Sequence, residues 1–283
     1  MNCPKISILI ANYNNGHFFK DCYDSLIAQT ELNWEAIVID DCSTDNSVEI
    51  IKSLISEDTR FRFFQNEENI GYQKTLIRGI ELSETPIFAR LDPDDALKAK
   101  AIELSLEAFS SNSEIGMTYT GFVFCDEKLS EIKEHHCKQI ESLNSDYYGF
   151  RGEISHFACF RKEVYKKTTG IDTFIKRAED KDIYMKMCEI AEVKLIDNPQ
   201  YLYRIHSGGV SNNKNSEKAL FWHWVALIKM AERRNINIED LFIEHYIPKN
   251  KYLQLKDKLE SLKKSRLLKL LYKLGIFKAY KYL

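Results

Sequence analysis

Apolar runs alternate with longer amphipathic segments along the N-terminal third of the chain. Residues 6–10 read ISILI, a continuous apolar run typical of a strand that is buried on both faces. Because strand-like and helical patterns alternate, we predict a parallel sheet with helices on both faces. The predicted strands are 6–10, 36–39, 61–64 and 86–91. The predicted helices are 18–28, 71–82 and 101–109. A further helix, between the second and third strands, is predicted to be capped at 45 or 47 and to continue to 55.

The pattern becomes mixed after residue 109, and it becomes helical after a stretch rich in Gly, Ser and Asn at 207–215. Such a stretch is typical of a domain boundary. We therefore divide the chain into a Rossmann-like α/β domain, 1–210, and a C-terminal helical region, 211–283. After residue 109, the predicted strands are 117–125, 154–160, 195–196 and 202–205, and the predicted helices are 182–191, 217–233 and 252–272.

Composition narrows the classes of protein that need to be considered. The seven cysteines form no CxxC pair, which argues against a disulfide framework or a zinc site. A net charge of −2 gives no reason to expect a nucleic-acid partner. No apolar stretch approaches the ~20 residues of a membrane-spanning helix, and the first residues do not resemble a signal peptide. We expect a protein that is cytoplasmic, or attached to the membrane from its cytoplasmic face.

Positive charge is concentrated in the segment 249–283, which contains eleven Lys or Arg and two Asp or Glu. Leucines recur among these charges as in a basic amphipathic helix. Such a helix binds an anionic membrane surface at roughly 1 kcal/mol per Lys or Arg near it. The same pattern also suits a helix that packs its leucines on the α/β domain and exposes its lysines to water. The sequence leaves both interpretations open.

Acidic clusters follow the second and fourth predicted strands. They are Asp40 and Asp41 after the second strand, and the run Asp92, Pro93 and Asp94 after the fourth. Ligands of such sheets bind beyond the carboxyl ends of the strands. Two carboxylates one residue apart can share a divalent cation that neutralises a diphosphate, and a carboxylate can accept the imide N–H of uracil. Asp and Pro are also ordinary turn residues, so neither cluster identifies a site by itself.

Further candidates lie later in the chain. Glu179 and Asp180, in the run RAEDKDIYMKM, could remove the proton of an acceptor hydroxyl, although acids also stabilise the first turn of any helix. His206 is a candidate metal ligand, but a lone histidine is more often structural. We interpret His135 and His136, in a polar and charged stretch, as solvated surface.

The order of these segments is far more specific than any one of them. The chain contains ISILIANYNN, QTELNWEAIVIDDCSTDNS, NEENIGYQKTLIRGIE and FARLDPDDAL, and then FRKEVYKKTTGIDTFIKRAEDKDIYMKM and YRIHSGGVS. Together they cover residues ~6 to ~211 and resemble the inverting family 2 glycosyltransferases of GT-A fold, of the bacterial surface-polysaccharide type. The chain departs from that pattern at Ala11, where Pro is usual, and at Leu76 and Ile77, where Arg and Asn are common. These departures concern donor preference.

The resemblance implies a role for each matched residue. Asp180 would be the catalytic base, and Glu179 would support it or contact the acceptor. Asp92 and Asp94 correspond to a DxD pair that binds Mn²⁺ or Mg²⁺, with Asp94 the more direct ligand. His206 matches a histidine that reaches the metal or the phosphates in some relatives. The implied nucleotide-binding residues are Ala11, Tyr13, Asp41, Lys74, Arg78 and Pro93.

The implied reaction moves a sugar from a nucleotide-diphosphate sugar, by preference a UDP-sugar, to a hydroxyl of a glycan or lipid-linked acceptor. Two alternatives stay open: a non-catalytic scaffold that binds sugar nucleotides, and a sugar-phosphate nucleotidylyltransferase. The second usually has a Gly-rich loop after its first strand, where this chain has ANYNNG. A nicotinamide-dependent enzyme is disfavoured, because no GxGxxG motif follows a predicted strand.

Overall fold

The computed structural model describes residues 3–141, 154–206 and 216–282. The chain forms two compact units, Met1–Met230 and Ala231–Leu283. The strands of the first unit are β1 (Ile6–Asn12), β2 (Trp34–Asp40), β3 (Phe61–Gln65), β4 (Ile87–Arg90), β5 (Ala96–Leu97), β6 (Ile115–Cys125), β7 (Glu131–His135), β8 (Ser155–Arg161) and β9 (Glu192–Arg204). Its helices are α1 (Phe19–Ile27), α2 (Ser47–Ile55), α3 (Tyr72–Leu82), α4 (Ala101–Ser111), α5 (Lys162–Tyr165), α6 (Glu179–Cys188) and most of α7 (Ser216–Arg233).

The described strands form one nine-stranded sheet, in the order β3-β2-β1-β4-β8-β6-β9-β5, with β7 paired to β6. The four strands β3, β2, β1 and β4 are parallel, as predicted. Strand β8 runs antiparallel to both β4 and β6, whereas β9 is parallel to β6. The second half of the sheet is therefore mixed, and it brings the end of β9 to the same edge as the ends of the parallel strands.

Burial on both faces explains the unbroken apolar runs of the central strands. Ile6, Ile8 and Ile10 of β1 are fully buried in one cluster with residues of α1, α2 and α4. Leu9 alternates with them and faces the other side, where α3 packs on β1 and β2. A buried aliphatic side chain of this size contributes about 1.5–3 kcal/mol, so these strands form the rigid centre that carries the site.

Four predicted elements differ in extent from the elements of the structure. The helix predicted at 182–191 begins three residues earlier, because the acidic first turn of α6 suits a helix N-terminus. The strands predicted at 195–196 and 202–205 are parts of the single strand β9. The helix predicted at 252–272 is broken at Ser265, whose hydroxyl accepts the Leu268 amide at 3.3 Å and caps a new helix. The short strands β5 and β7 were not predicted.

The second unit is helical. It contains α8 (Ile238–Lys264), α9 (Arg266–Lys273) and a 3₁₀ turn at Lys278–Tyr282. In the described part of the chain, no helix has both the length and the apolar character needed to cross a membrane. Apolar side chains of α9 and the turn after it are more than half exposed, namely Leu267, Leu270, Leu274 and Ile276.

Candidate active site

The candidate site lies where β1, β2 and β4 end. Asn12 and Asp40 are the last residues of β1 and β2 and are paired in the sheet. The Asn12 side chain donates to the Asp40 carboxylate at 2.8 Å, and the Ser43 amide donates to the same group at 2.9 Å. These bonds close the loop after β2 and hold Asp41 at the edge of the sheet.

Asp41 connects this loop to the start of α3. Its carboxylate accepts the side-chain amide of Asn66 at 2.6 Å and the backbone amides of Ile70 and Gly71 at 3.0 and 2.9 Å. Gly71 has a φ of 89°, a conformation that favours glycine, so the turn can point its amide at Asp41. A carboxylate offers about four acceptor positions, and the protein fills three. One position is left on Asp41, as the predicted contact with a base requires.

The other predicted nucleotide-binding residues differ in exposure. Tyr13, after β1, is 45% exposed, and Lys74 of α3 is exposed as well. Ala11 is partly buried and Pro93 is buried. Arg78 donates to the Gln65 carbonyl at 3.2 Å and to the Asn66 side chain, so in this structure it supports the residue that holds Asp41. Direct contacts of these residues with a nucleotide stay predictions.

The loop after β4 carries the predicted DxD pair and brings it to His206. The Asp94 carboxylate lies 2.9 Å from Nε2 of His206, and the Tyr72 hydroxyl donates to Asp92 at 2.7 Å. Burial raises the pKa of Asp94, and the negative charge of Asp92 raises it further. The pKa of the neighbouring Asp95 is raised well above its usual range by burial and by these two charges. The loop therefore has an excess of negative charge that a cation would offset.

Carboxylate oxygens and one imidazole suit Mg²⁺ or Mn²⁺, so the acids of this loop together with His206 fit the ion that the resemblance implies. Within the described ranges, however, no three His, Cys, Asp or Glu side chains already form a group that could hold a metal. Asp94 and His206 contact each other instead. Metal binding would therefore require side-chain rotation around this pair.

The end of β9 supplies residues that the sequence did not reveal as part of the site. Asp95 accepts the Tyr201 hydroxyl at 2.7 Å and the Arg204 amide at 2.8 Å. The Arg204 guanidinium donates to the Asp94 carbonyl at 2.6 Å and to the Asp21 carboxylate at 2.7 Å. The sequence signals for this arrangement were the fourth residue of the run DPDD and the arginine of the run YRIHSGGVS, neither of which was given a role. Because Arg204 is 2% exposed at its side chain, these bonds fix the acidic loop to β9 and α1.

Glu179 and Asp180 occupy the first turn of α6. Burial raises the pKa of Glu179 to about 7, and the adjacent charge of Asp180 contributes to the rise. Burial also raises the pKa of Asp180. The positive charge of Arg90, together with weaker contributions that include Lys181, outweighs burial and lowers this pKa below its ordinary value. The surroundings therefore shift the pKa values of these two neighbouring carboxyl groups in opposite directions, as is typical of acid–base sites. Asp180 is the ionised member near neutral pH.

Arg90 and His156 complete this side of the site, and neither was predicted from the sequence. Arg90 ends β4, and its guanidinium lies 3.4 Å from Oε1 of Glu179 and 3.8 Å from Oδ2 of Asp92. The same guanidinium lies 3.2 Å from Nε2 of His156 on β8. The carboxyl pair at the start of α6 and the DxD pair are therefore bridged by one cation.

A family model described as glycosyl transferase family 2 matches residues 7–169, which is more than half of the 283-residue chain. The chain belongs to glycosyl transferase family 2. This confirms the family that the ordered motifs predicted.

The glycosyltransferase is similar to two chondroitin synthases. It is 25% identical to that of Pasteurella multocida (strain Pm70) over 83% of its own length and 24% of the relative's. It is 28% identical to that of Escherichia coli over 75% of its own length and 30% of the relative's. The chain therefore spans less than a third of these relatives.

Two solved structures resemble the glycosyltransferase in fold. TarS of S. aureus, residues 1–349 in complex with UDP, has a TM-score of 0.61 at 17% identity and covers 78% of this chain and 65% of that one. The mannosyltransferase PcManGT from Pyrobaculum calidifontis, in complex with GDP-Man and Mn²⁺, has a TM-score of 0.65 at 14% identity. It covers 100% of this chain and 83% of its own. The predicted GT-A fold is confirmed.

The raised pKa of Glu179 predicts a change in stability with pH. Folding moves this pKa from 4.5 to about 7, so the folded glycosyltransferase binds more protons than the unfolded chain between these values. Its stability must then fall as the pH rises through that window. Glu179→Gln avoids this loss, and we expect its Tm to exceed the wild-type Tm at pH 8 and to approach it towards pH 5. Scanning calorimetry across this range measures the difference, and a constant difference would contradict the assignment.

Proposed function

We propose that the protein is an inverting, metal-dependent glycosyltransferase that moves a sugar from a UDP-sugar to a hydroxyl of a glycan or lipid-linked glycan acceptor. The observation that carries the proposal is the carboxyl pair Glu179 and Asp180 in the first turn of α6, joined to the DxD pair by the guanidinium of Arg90, which lies 3.4 Å from Glu179 and 3.8 Å from Asp92. Such a pairing supplies a base for the acceptor and an acidic loop for the donor diphosphate. The similarity to chondroitin synthases supports a role in cell-surface polysaccharide synthesis.

The reaction is a single displacement at the anomeric carbon. The acceptor oxygen forms a bond to this carbon while its proton passes to a carboxylate oxygen of Asp180. The bond between the carbon and the diphosphate oxygen breaks, and its electron pair leaves with UDP. Because the acceptor attacks from the face opposite the leaving group, the configuration inverts.

The residues that would hold Mn²⁺ or Mg²⁺ are Asp92, Asp94 and His206. When bound, the ion neutralises the negative charge that develops on the diphosphate. On the nucleotide side, Asp41 accepts an N–H of the base at its remaining position. Tyr13 directly follows Asn12, whose carbonyl accepts the Asp41 amide at 2.8 Å. A UDP complex of TarS supports uridine, whereas PcManGT binds GDP-Man, so the nucleotide has to be measured.

Isothermal titration calorimetry with UDP, TDP and GDP tests this function directly. Each nucleotide is titrated in the presence of Mn²⁺ and again with excess chelator. We expect UDP to bind with Mn²⁺ and to lose its affinity with chelator. Binding of another nucleotide alone would correct the donor, and failure of all three to bind would contradict the proposed function.

Attachment to the cytoplasmic face of an anionic membrane through 249–283 belongs to the same proposal. Leu267 and Leu270 of α9 and Leu274 directly after it lie on one side of the helix axis and are exposed. Arg266, Lys269 and Lys273 share the polar side, as in helices that lie in a lipid interface. A lipid-linked acceptor would be reached from such a surface.

Co-sedimentation with liposomes measures this attachment. We expect binding to vesicles that contain anionic lipid at low salt, and loss of binding at high salt, because charge attraction is screened. Leu267→Glu with Leu270→Glu is expected to abolish the binding, whereas Asp257→Asn, on the preceding helix, is not. Equal recovery with neutral and anionic vesicles would contradict the proposal.

A further inference from the structure

Arg90 is in contact with groups from three other parts of the fold. Its side chain is 14% exposed and lies at the end of β4. One guanidinium faces Glu179 in the first turn of α6, Asp92 in the loop that follows β4, and His156 on β8, at 3.4, 3.8 and 3.2 Å. A planar group with five N–H donors can serve several acceptors at once, which a lysine ammonium at the same place could not do.

His156 must be neutral in this arrangement. Arginine has donors alone, so Nε2 of His156 accepts the hydrogen bond from Arg90 and carries no proton. Burial lowers the pKa of His156 to about 4, and the charge of Arg90 contributes to this. His156 also stacks on Tyr201, with ring centroids 4.8 Å apart. Near neutral pH, therefore, the cation that faces the acidic pair from the β-sheet is Arg90.

Tyr72 fixes Arg90 and Asp92 relative to one another. Its hydroxyl donates to Oδ1 of Asp92 at 2.7 Å, while Oδ2 of Asp92 faces Arg90. The Arg90 guanidinium carbon also lies 5.8 Å from the centre of the Tyr72 ring, within the range of a cation–π contact. The contacts thus run without interruption from α3, through Asp92 and Arg90, to the first turn of α6.

The charged and titratable groups around Asp180 come from β4, β8 and α6. They are Arg90, His156, Glu179, Lys181 and Tyr184, with the Lys181 amide donating to Asp180 at 2.8 Å. Burial works against ionisation of Asp180, whereas the charge of Arg90 and the charge and backbone amide of the adjacent Lys181 favour it. Removal of the Arg90 charge would leave burial as the dominant influence.

We infer that Arg90 is a positioning residue, which holds Glu179 and, through the first turn of α6, the adjacent Asp180 in the orientation needed to remove the acceptor proton, and which joins this turn to Asp92 on the donor side. The inference deepens the proposed function and rests on it for the identity of the base. A displacement of about 1 Å at a reacting group can cost 10²-fold in rate, so loss of this contact has a measurable effect.

The test compares Arg90→Met and Arg90→Lys with the control Arg62→Met. Arg62, on β3, makes a similar ion pair with Glu35 at 3.1 Å, away from the acidic loop. With saturating metal, we expect Arg90→Met to lower kcat about 100-fold while its Kd for UDP stays near wild type. The acidic limb of the kcat–pH profile moves to higher pH, because Asp180 has lost its counter-charge. Added guanidinium ion should restore part of the rate, and Arg62→Met should match the wild type in every respect.

Arg90→Lys separates the charge from the geometry. Lysine keeps the positive charge, so the acidic limb of the kcat–pH profile stays in place. It loses the planar guanidinium with its several N–H donors, so kcat falls. Wild-type kcat in Arg90→Lys, or an effect of Arg90→Met confined to the donor KM, overturns the inference. The lysine variant carries the test if circular dichroism shows that the methionine variant is unfolded.

A second measurement needs no turnover. Carboxyl-¹³C NMR of aspartate-labelled, metal-free protein follows the titration of Asp180, which Asp180→Asn identifies by its missing resonance. We expect the pKa of Asp180 to rise in Arg90→Met and to stay unchanged in Arg62→Met. An unchanged titration in Arg90→Met overturns the inference. An inactive wild type with the shifted titration would instead count against the proposed function alone.

Discussion

Asp180→Asn is expected to lower kcat for sugar transfer by about 10²–10⁴-fold, the range that a positioned general base contributes. The asparagine has nearly the same shape as the aspartate but cannot take the acceptor proton. Because the residues proposed to bind the donor and the metal lie at the ends of β1, β2, β4 and β9 and on α3, whereas the base lies on α6, the affinity for UDP should hardly change. Steady-state kinetics and calorimetry on the same preparation measure the two effects.

Two further variants make this result specific. Asp126→Asn removes an acid from the turn between β6 and β7, where its carboxylate accepts the amides of Lys128 and Ser130, and should leave kcat unchanged. Glu179→Gln should reduce kcat much less than Asp180→Asn, since Glu179 does not receive the proton. Turnover at the wild-type level in Asp180→Asn, or a larger loss in Glu179→Gln, would move the role of base away from Asp180.

Asp94→Ala is expected to weaken Mn²⁺-dependent UDP binding by at least about 100-fold, because loss of an outer-shell partner alone costs 10–100-fold in metal affinity. The remaining weak affinity should equal that of the wild type with chelator. The variant should fold, since the bond from Arg204 goes to the backbone carbonyl of Asp94, which alanine retains. Its Tm is a check on this point.

Asp21→Asn is the matched control for Asp94→Ala. Asp21 accepts from the same arginine at 2.7 Å, but it belongs to α1 and is outside the DxD pair. We expect a small loss of stability and unchanged Mn²⁺-dependent binding. If Asp94→Ala binds UDP and Mn²⁺ as the wild type does, or if Asp21→Asn loses the same affinity, Asp94 does not act as a metal ligand.

The parallel half of the sheet could be predicted because its strands bury both faces and so have unbroken apolar sequences. The second half was harder to predict. Strand β9 contains polar residues such as Asp197 and Gln200, and its pairing with β6 is interrupted by register shifts. Such a strand is defined by a distant partner, so local periodicity reveals only fragments of it.

The candidate acids were visible for a simpler reason. Asp41, Asp92 and Asp94 follow buried strands directly, and parallel strands present their carboxyl ends at one edge. Arg90 had no such signal, because an arginine at the end of a short strand has many possible partners. Its contacts with His156 and Glu179 lie 66 and 89 positions along the chain. Only the folded chain brings them together.

The sequence by itself determined the family, the parallel core and the positions of the acids, because these follow from local burial patterns and from ordered motifs. The tertiary structure decided how the surroundings of two adjacent acids differ. Glu179 and Asp180 are adjacent in the sequence and chemically alike, yet the pKa of one is raised to about 7 and that of the other is lowered. The difference arises from burial and from the charge of Arg90, and both are properties of the three-dimensional surroundings.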